Sequence, residues 1–268
     1  MADITCNVVK DILPLYVTMG DETKKDGLEV VPDDIYAHVD KTGVLPKTAA
    51  PNVSDLLELF DKWHNEGYSI VHFSISSDFS SSYHNACIAA EEVGDVFVVD
   101  SRNLSTGQGL VVLHAADLAA EGKTAAEIKE ECDKLTPKVE ASFVVDSIDY
   151  LRKGGRCSAI AALGANLLKL KPCIEVKDGK MTPSKKYRGK IEKVIVDYVK
   201  DRLSGRDDIV KNRILITHTK CNPETVDEVR VLINELASGF NEILETTAGC
   251  TVTSHCGPYT LGILFIRK

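Results

Sequence analysis

The sequence has no excess of basic residues: 32 Lys and Arg stand against 40 Asp and Glu, a formal net charge of −8 over 268 residues. A surface of that sign is repelled by a phosphate backbone, which argues against non-specific binding of DNA or RNA. The eight cysteines, at 6, 87, 132, 157, 173, 221, 250 and 256, include no Cys-x-x-Cys pair and no partnering His at zinc spacing. They read as reduced thiols, no metal site is expected, and a chain this long needs no disulfide framework, so the expected compartment is cytoplasmic. The opening MADITCNVVKDILP lacks the basic n-region and apolar h-region of a secretory signal. A membrane span is missing too: residues 246 to 266 carry no charge, but Thr, Ser, His, Gly and Pro interrupt them. They read as a strand, a polar loop and another strand. Gly-x-Ser-x-Gly and His-Glu-x-x-His are absent, and Gly107-Gln108-Gly109 fails as a dinucleotide fingerprint because Val112 occupies the third glycine position. No cofactor is implied. Repeats, low-complexity tracts and Pro-rich linkers are absent as well.

What is present is globular: 44% hydrophobic and 27% charged residues with 18 Gly and 9 Pro, enough for one large or two small domains. LPLYVT at 13 to 18, followed by MGDETKKDG, reads as a strand and hairpin. From Pro51 a helix with Leu56, Leu57, Leu59, Phe60 and Trp63 runs to Gly67. The strand YSIVHFSIS, a Ser-rich loop, a helix over 83–93, the strand DVFVVD and a helix over 109–120 follow. Strand, loop, helix, repeated, predicts a largely parallel sheet with helices on both faces and ligands at the strands' carboxyl ends. After a charged helix over 124–135, the strand VEASFVVDS marks a change of character. The Asp178-Gly179 turn within CIEVKDGKMTPS then predicts an antiparallel hairpin. A helix over 189–204, the strand RILITHT, a helix from Pro223 to about Ala237 and three short strands complete the chain. The fold class is therefore α/β in two domains, an N-terminal α/β domain over 1–137 and a C-terminal α+β domain over 138–268 with a mostly antiparallel sheet.

The densest candidate feature is the run Ser74, Ser76, Ser77, Ser80, Ser81, Ser82 at a strand end and helix start. Capping accounts for one or two of these serines; the surplus suggests an anion site built from hydroxyls, backbone N–H groups and the helix dipole. Thr48, ahead of Pro51, can project into a cleft. Arg156, just after Gly154-Gly155, sits where the chain turns sharply, and Arg188 follows the basic run Lys185-Lys186. Each of these has an ordinary reading as a structural hydroxyl or a solvated charge. His255, within the uncharged stretch, has one as a hydrogen-bonded core residue. Ser80 with His255 would form a nucleophile and base in a hydrolase or acyltransferase, although no Asp suggests itself as orienter. A phosphate cradle in the Ser-rich loop is a further alternative.

Taken together, the segments resemble the DegV family of bacterial lipid-binding proteins over nearly the whole chain. Thr48-Ala49-Ala50-Pro51-Asn52 matches the family's Thr-Ser-Gln-Pro-Ser at Thr and Pro. Ser76-Ser77-Asp78-Phe79-Ser80-Ser81-Ser82-Tyr83 matches its Ser-Ser-x-Leu-Ser-Gly-Thr-Tyr more closely. Val99-Asp100-Ser101, Gly154-Gly155-Arg156 with a following helix, Lys171-Pro172, Tyr187-Arg188 and His255-x-Gly257-Pro258 follow in the family's order. The resemblance implies two α/β domains with a long-chain fatty acid at their interface, its carboxylate held by Thr48, Ser80, Ser81 and His255. It also implies a carrier rather than an enzyme, one that offers the acid to a separate ATP-dependent fatty-acid kinase making acyl phosphate for phospholipid synthesis. In that setting Arg156 and Arg188 would dock the kinase or stabilise the transferring phosphoryl group.

Overall fold

The computed structural model describes residues 9–156 and 170–268. Cys6, Cys157, Ser158 and the helix that the resemblance places after Arg156 lie outside the described residues. β1 (Tyr16–Met19) and β2 (Glu22–Lys25) are joined by Gly20-Asp21, with Gly20 at φ 63°, and a link this short permits only an antiparallel hairpin. After α1 (Pro32–Thr42), β3 (Lys47–Ala49) returns to the other edge of β1, placing Thr48 opposite Val17. This three-stranded sheet buries Val17 with Val30, Ile35 and, from near the chain's end, Cys250.

Next come α2 (Val53–Asn65), β4 (Ile70–Ser74), α3 (Ser82–Val93), β5 (Val96–Asp100), α4 (Ser105–Ala120) and α5 (Ala125–Leu135). β4 and β5 pair in parallel, with α3 as the crossover. Ile70, Val96 and Val98 share a core with Leu56 and Phe60 of α2 and Ala86 and Ala89 of α3. Val71, Phe73 and Val99 join Leu110 and Val111 of α4 and Ile128 of α5 in another. Helices on both faces explain why these strands read as continuous apolar runs. The expectation of a largely parallel N-terminal sheet is corrected: among the described residues it holds for β4 and β5, whereas β1, β2 and β3 form an antiparallel sheet of their own.

The second half supplies β6 (Val139–Val144), α6 (Asp149–Gly154), β7 (Lys171–Lys177), β8 (Lys180–Tyr187) and α7 (Ile191–Leu203). β9 (Ile209–Thr219), α8 (Pro223–Leu236), β10 (Glu242–Thr247), α9 (Cys250–Cys256) and β11 (Thr260–Arg267) follow. Six strands assemble in the order β10-β9-β11-β6-β7-β8, antiparallel except for β10 with β9. The hairpin turn has Asp178 at φ 50° and Gly179 at φ 79°, the pair of positive values that a type I′ turn requires. α7 and α8 bury Tyr198, Ile195, Val229 and Ile233 with Ile214, Ile216 and Phe265 of the sheet. α4 packs on β6, β9 and β11, and Arg213 clasps Asp117 of α4 at 2.5 and 3.0 Å. One core therefore runs from β5 through α4 into the six-stranded sheet. A second correction concerns residues 246–266: the expected polar loop contains the helix α9, so two strands rather than three follow α8.

Candidate functional site

α9 has the sequence CTVTSHC, in which three β-branched residues give little intrinsic helix preference. Its ends are held by side chains from elsewhere. Cys250 N–H and Thr251 N–H donate to Asp26 Oδ1 and Oδ2 at 2.8 and 2.7 Å. At the other end Thr219 Oγ1 donates to Gly257 O at 2.6 Å and Thr260 Oγ1 to Cys256 O at 3.1 Å. His255 occupies the last turn, and its Nε2 lies 2.9 Å from Thr48 Oγ1. Its Nδ1 is buried and finds no hydrogen-bond partner among the described residues. Gly154, the last residue of α6, lies against that nitrogen so closely that a Cβ there would come within 2.3 Å. Burial pushes the His255 pKa down to about 4, and the Arg156 guanidinium pushes it the same way. At neutral pH the ring is therefore uncharged and carries one N–H.

Thr48 is fixed from the opposite side. Asn52 caps α2 by accepting from Asp55 N–H at 2.9 Å while the Asp55 carboxylate accepts from Asn52 N–H at 3.0 Å. Asn85 of α3 donates to Pro51 O at 2.8 Å, tying the Thr48 segment to the helix that follows the Ser-rich loop.

Between these elements lies a cavity of about 590 Å³, counting its open mouth. Leu15, Ile75, Phe79, Leu104 and Val252 form its apolar wall, and Thr48, Ser80, Thr251, His255 and Arg156 its polar part. A second space of about 400 Å³ shares Leu104, Val252 and Cys256 with the first and reaches Phe143, Val176 and Leu264 of the sheet. Apolar walls with a few convergent polar groups are the ordinary make-up of a small-molecule site.

The structure thus brings Thr48, Ser80, His255 and Arg156 to one cavity. Ser80 Oγ is 2.8 Å from Ser82 Oγ and accepts from Ser82 N–H at 3.2 Å. Ser81, by contrast, is exposed at the N-cap of α3, makes no capping bond with its side chain and lies outside the cavity wall. Arg156 donates to Gly154 O at 3.0 Å, whereas Arg188 is exposed beyond the end of β8 and lines neither space.

Much of the serine surplus goes into the loop itself. Ser76 donates to Gly179 O at 2.8 Å and Ser77 to Asp100 Oδ2 at 2.6 Å. Arg102 pairs with Asp78 at 3.0 Å and holds Asp178 O on the hairpin tip. With these donors committed and two carboxylates among them, the loop is poorly suited to cradle a phosphate. The hydrolase arrangement fares no better: His255 Nε2 is bonded to Thr48 rather than Ser80, so the nucleophile–base contact is not formed.

Two residues that shape the site escaped sequence reasoning. Asp26 precedes a glycine after a strand and looks like ordinary turn chemistry. Gly154 looks like half of a sharp turn, but the turn belongs to Gly155 at φ 68°, and what Gly154 provides is space for His255. Neither contact has a local signal, since each partner is more than 100 positions away.

Comparison with known proteins adds to this geometry. Residues 3–268 match the model of a family described as "Uncharacterised protein, DegV family". A DegV domain-containing protein of Clostridium acetobutylicum is 32% identical over 280 aligned residues, covering 100% of this chain and 98% of that one. A protein of Thermotoga maritima named fatty acid-binding protein is 31% identical, over 94% of this chain and 88% of its own. Among solved structures, a fatty-acid-binding DegV family protein of Thermus thermophilus superposes with a TM-score of 0.84 at 28% identity, covering 96% of this chain and 91% of that one. Among the described residues no helix is long and apolar enough to cross a membrane.

Proposed function

The chain belongs to the DegV family, and on that premise we propose that it binds a long-chain fatty acid between a domain over 1–137 and a domain over 138–268. The carboxylate sits at Thr48, Ser80 and His255, and the acyl chain runs past Leu104 and Val252 into the second apolar space. The observation that carries this reading is the apolar cavity ending on the bonded Thr48 and His255 pair. Burying about 15 methylenes at about 0.8 kcal/mol each supplies on the order of 12 kcal/mol, but a bilayer offers the tail the same. Preference for the protein must then come from the carboxylate, with each charge-assisted hydrogen bond contributing roughly 1.5–3 kcal/mol. A neutral His255 suits this role because it donates its N–H without bringing a second desolvated charge into the cavity.

The test is extraction of the purified protein with organic solvent and mass spectrometry of what is released. Near-stoichiometric fatty acid is expected. A clean extract from protein that also fails to take up added fatty acid would overturn the reading.

In this proposal the protein is a cytoplasmic carrier without catalytic residues of its own. It presents the acid to a separate ATP-dependent fatty-acid kinase, whose acyl phosphate feeds phospholipid synthesis. Arg156 at the cavity mouth and Arg188 beyond β8 then serve the kinase complex. Arg188→Ala is expected to leave fatty-acid affinity within about twofold and to lower acyl-phosphate formation with a cognate kinase by tenfold or more, as loss of one charge-assisted contact implies. Loss of bound lipid in that variant would assign Arg188 to the fold instead.

A further inference from the structure

Thr48 and His255 stand 207 positions apart, so something must hold the strand of one against the helix of the other. β3 carries Thr48 and pairs with β1, and β1 continues through the hairpin into β2, which ends at Lys25. The next residue, Asp26, donates its N–H to Leu15 O at 2.9 Å, which ties it back to the start of the same hairpin. Its two carboxylate oxygens take the N–H groups of Cys250 and Thr251, one each, while Cys250 Sγ donates to Val30 O at 3.2 Å. Gly249 eases the approach, since a Cβ there would lie 3.2 Å from Asp26 Oδ1, a tight contact. α9 has only seven residues, about 10 Å of helix, so its first turn and the turn bearing His255 move together.

We infer that Asp26 is a positioning residue: its carboxylate docks α9 on the sheet that carries Thr48 and so sets the Thr48–His255 geometry that receives the ligand's carboxylate. An acidic cap of this kind ordinarily adds only stability to its helix. Here it also joins the two walls of one site. The inference rests on the proposed role of Thr48 and His255 as carboxylate ligands.

The experiment measures the affinities of palmitic acid and of hexadecanol, which has the same chain without the carboxylate, for wild type, Asp26→Asn, Asp26→Ala and His255→Ala. Thermal midpoints and the ring ¹⁵N resonances of His255 are recorded alongside. Asp26→Ala is expected to reduce the preference for acid over alcohol about tenfold, the equivalent of one charge-assisted hydrogen bond, and to shift the His255 resonances. Asp26→Asn keeps one of the two acceptors and is expected to fall between; it also carries the test if the alanine variant does not fold. Equal losses for acid and alcohol with unmoved His255 resonances would make Asp26 merely structural and overturn the inference. An unchanged preference in both Asp26 variants, with a reduced one in His255→Ala, would overturn the inference and leave the site standing. An unchanged preference in His255→Ala would overturn the site reading and the inference with it.

Discussion

Gly154→Ala is expected to lower fatty-acid affinity by tenfold or more, at a cost in stability of about 1–3 kcal/mol from the clash it forces. An alanine at the end of a helix is ordinarily neutral to favourable, by up to about 1 kcal/mol, because glycine loses more backbone freedom on folding. Gly154 has no positive φ, so its backbone accepts a side chain. The obstacle is His255 Nδ1, which the new methyl group would meet at 2.3 Å, well inside any real carbon–nitrogen contact. The ring must turn or α9 must shift, and either movement breaks the 2.9 Å contact with Thr48. His255→Ala removes the same contact directly and is expected to lose about 1.5–3 kcal/mol of binding, roughly 10- to 150-fold. Isothermal titration of both variants with a long-chain acid, beside their thermal midpoints, provides the check. Full affinity in Gly154→Ala would mean that the carboxylate does not depend on the imidazole's position.

This expectation is one that the sequence could not have supplied, and the reason is physical. Elements whose signal is local were readable: the apolar runs of β4 and β5, the Asp178-Gly179 turn, and α7 and α8 within two residues of their ends. Thr48, Ser80 and His255 were singled out by residue type and family motif, and the fold brings them to one cavity. The α9 sequence CTVTSHC has no helical periodicity and no local cap, so it reads as a loop. Asp26 caps it from 224 positions away, and Thr219 and Thr260 hold its other end. α4 starts four residues before the expected 109 because Ser105, at φ 50°, opens it with an unusual backbone rather than a capping side chain. The Ser run suggests more ligand-facing hydroxyls than the fold provides for a related reason. Whether a hydroxyl faces a ligand or a neighbouring loop depends on what lies opposite, and opposite Ser76 lies Gly179 of a distant hairpin.

The ligand-free protein is expected to lose stability steeply as pH falls from about 6.5 to 4, and His72 is expected to account for about half of that slope. His72 lies on β4 with its ring against Phe60, centroids 5.2 Å apart at an interplanar angle of 70°. Burial pushes its pKa down from 6.5 to about 4, as burial and Arg156 do for His255. Both groups are lowered in the folded state, so between pH 6.5 and 4 the unfolded chain binds more protons and acid favours unfolding. Each group contributes at most about 1.4 kcal/mol per pH unit, or about 3 kcal/mol across the window. Against a total of roughly 5–15 kcal/mol, the two together consume much of the margin before pH 4. Carboxylates act at the bottom of this window and below it: Glu127, held down by the Thr124 N–H, begins to lose its contribution near its ordinary 4.5, and Asp208, held down by Arg206, near 3.8. Urea midpoints from pH 7.5 to 4.5 on delipidated protein would show it, with His72→Leu flattening the slope by up to about 1.4 kcal/mol per pH unit. Equal slopes in the two proteins would show that His72 titrates alike in the folded and unfolded states. A bound fatty acid should act on the other half alone, because a carboxylate beside His255 favours the protonated ring and removes part of its penalty. Lipid is therefore expected to flatten the remaining slope of His72→Leu further, and to do so less in a protein that also carries His255→Ala.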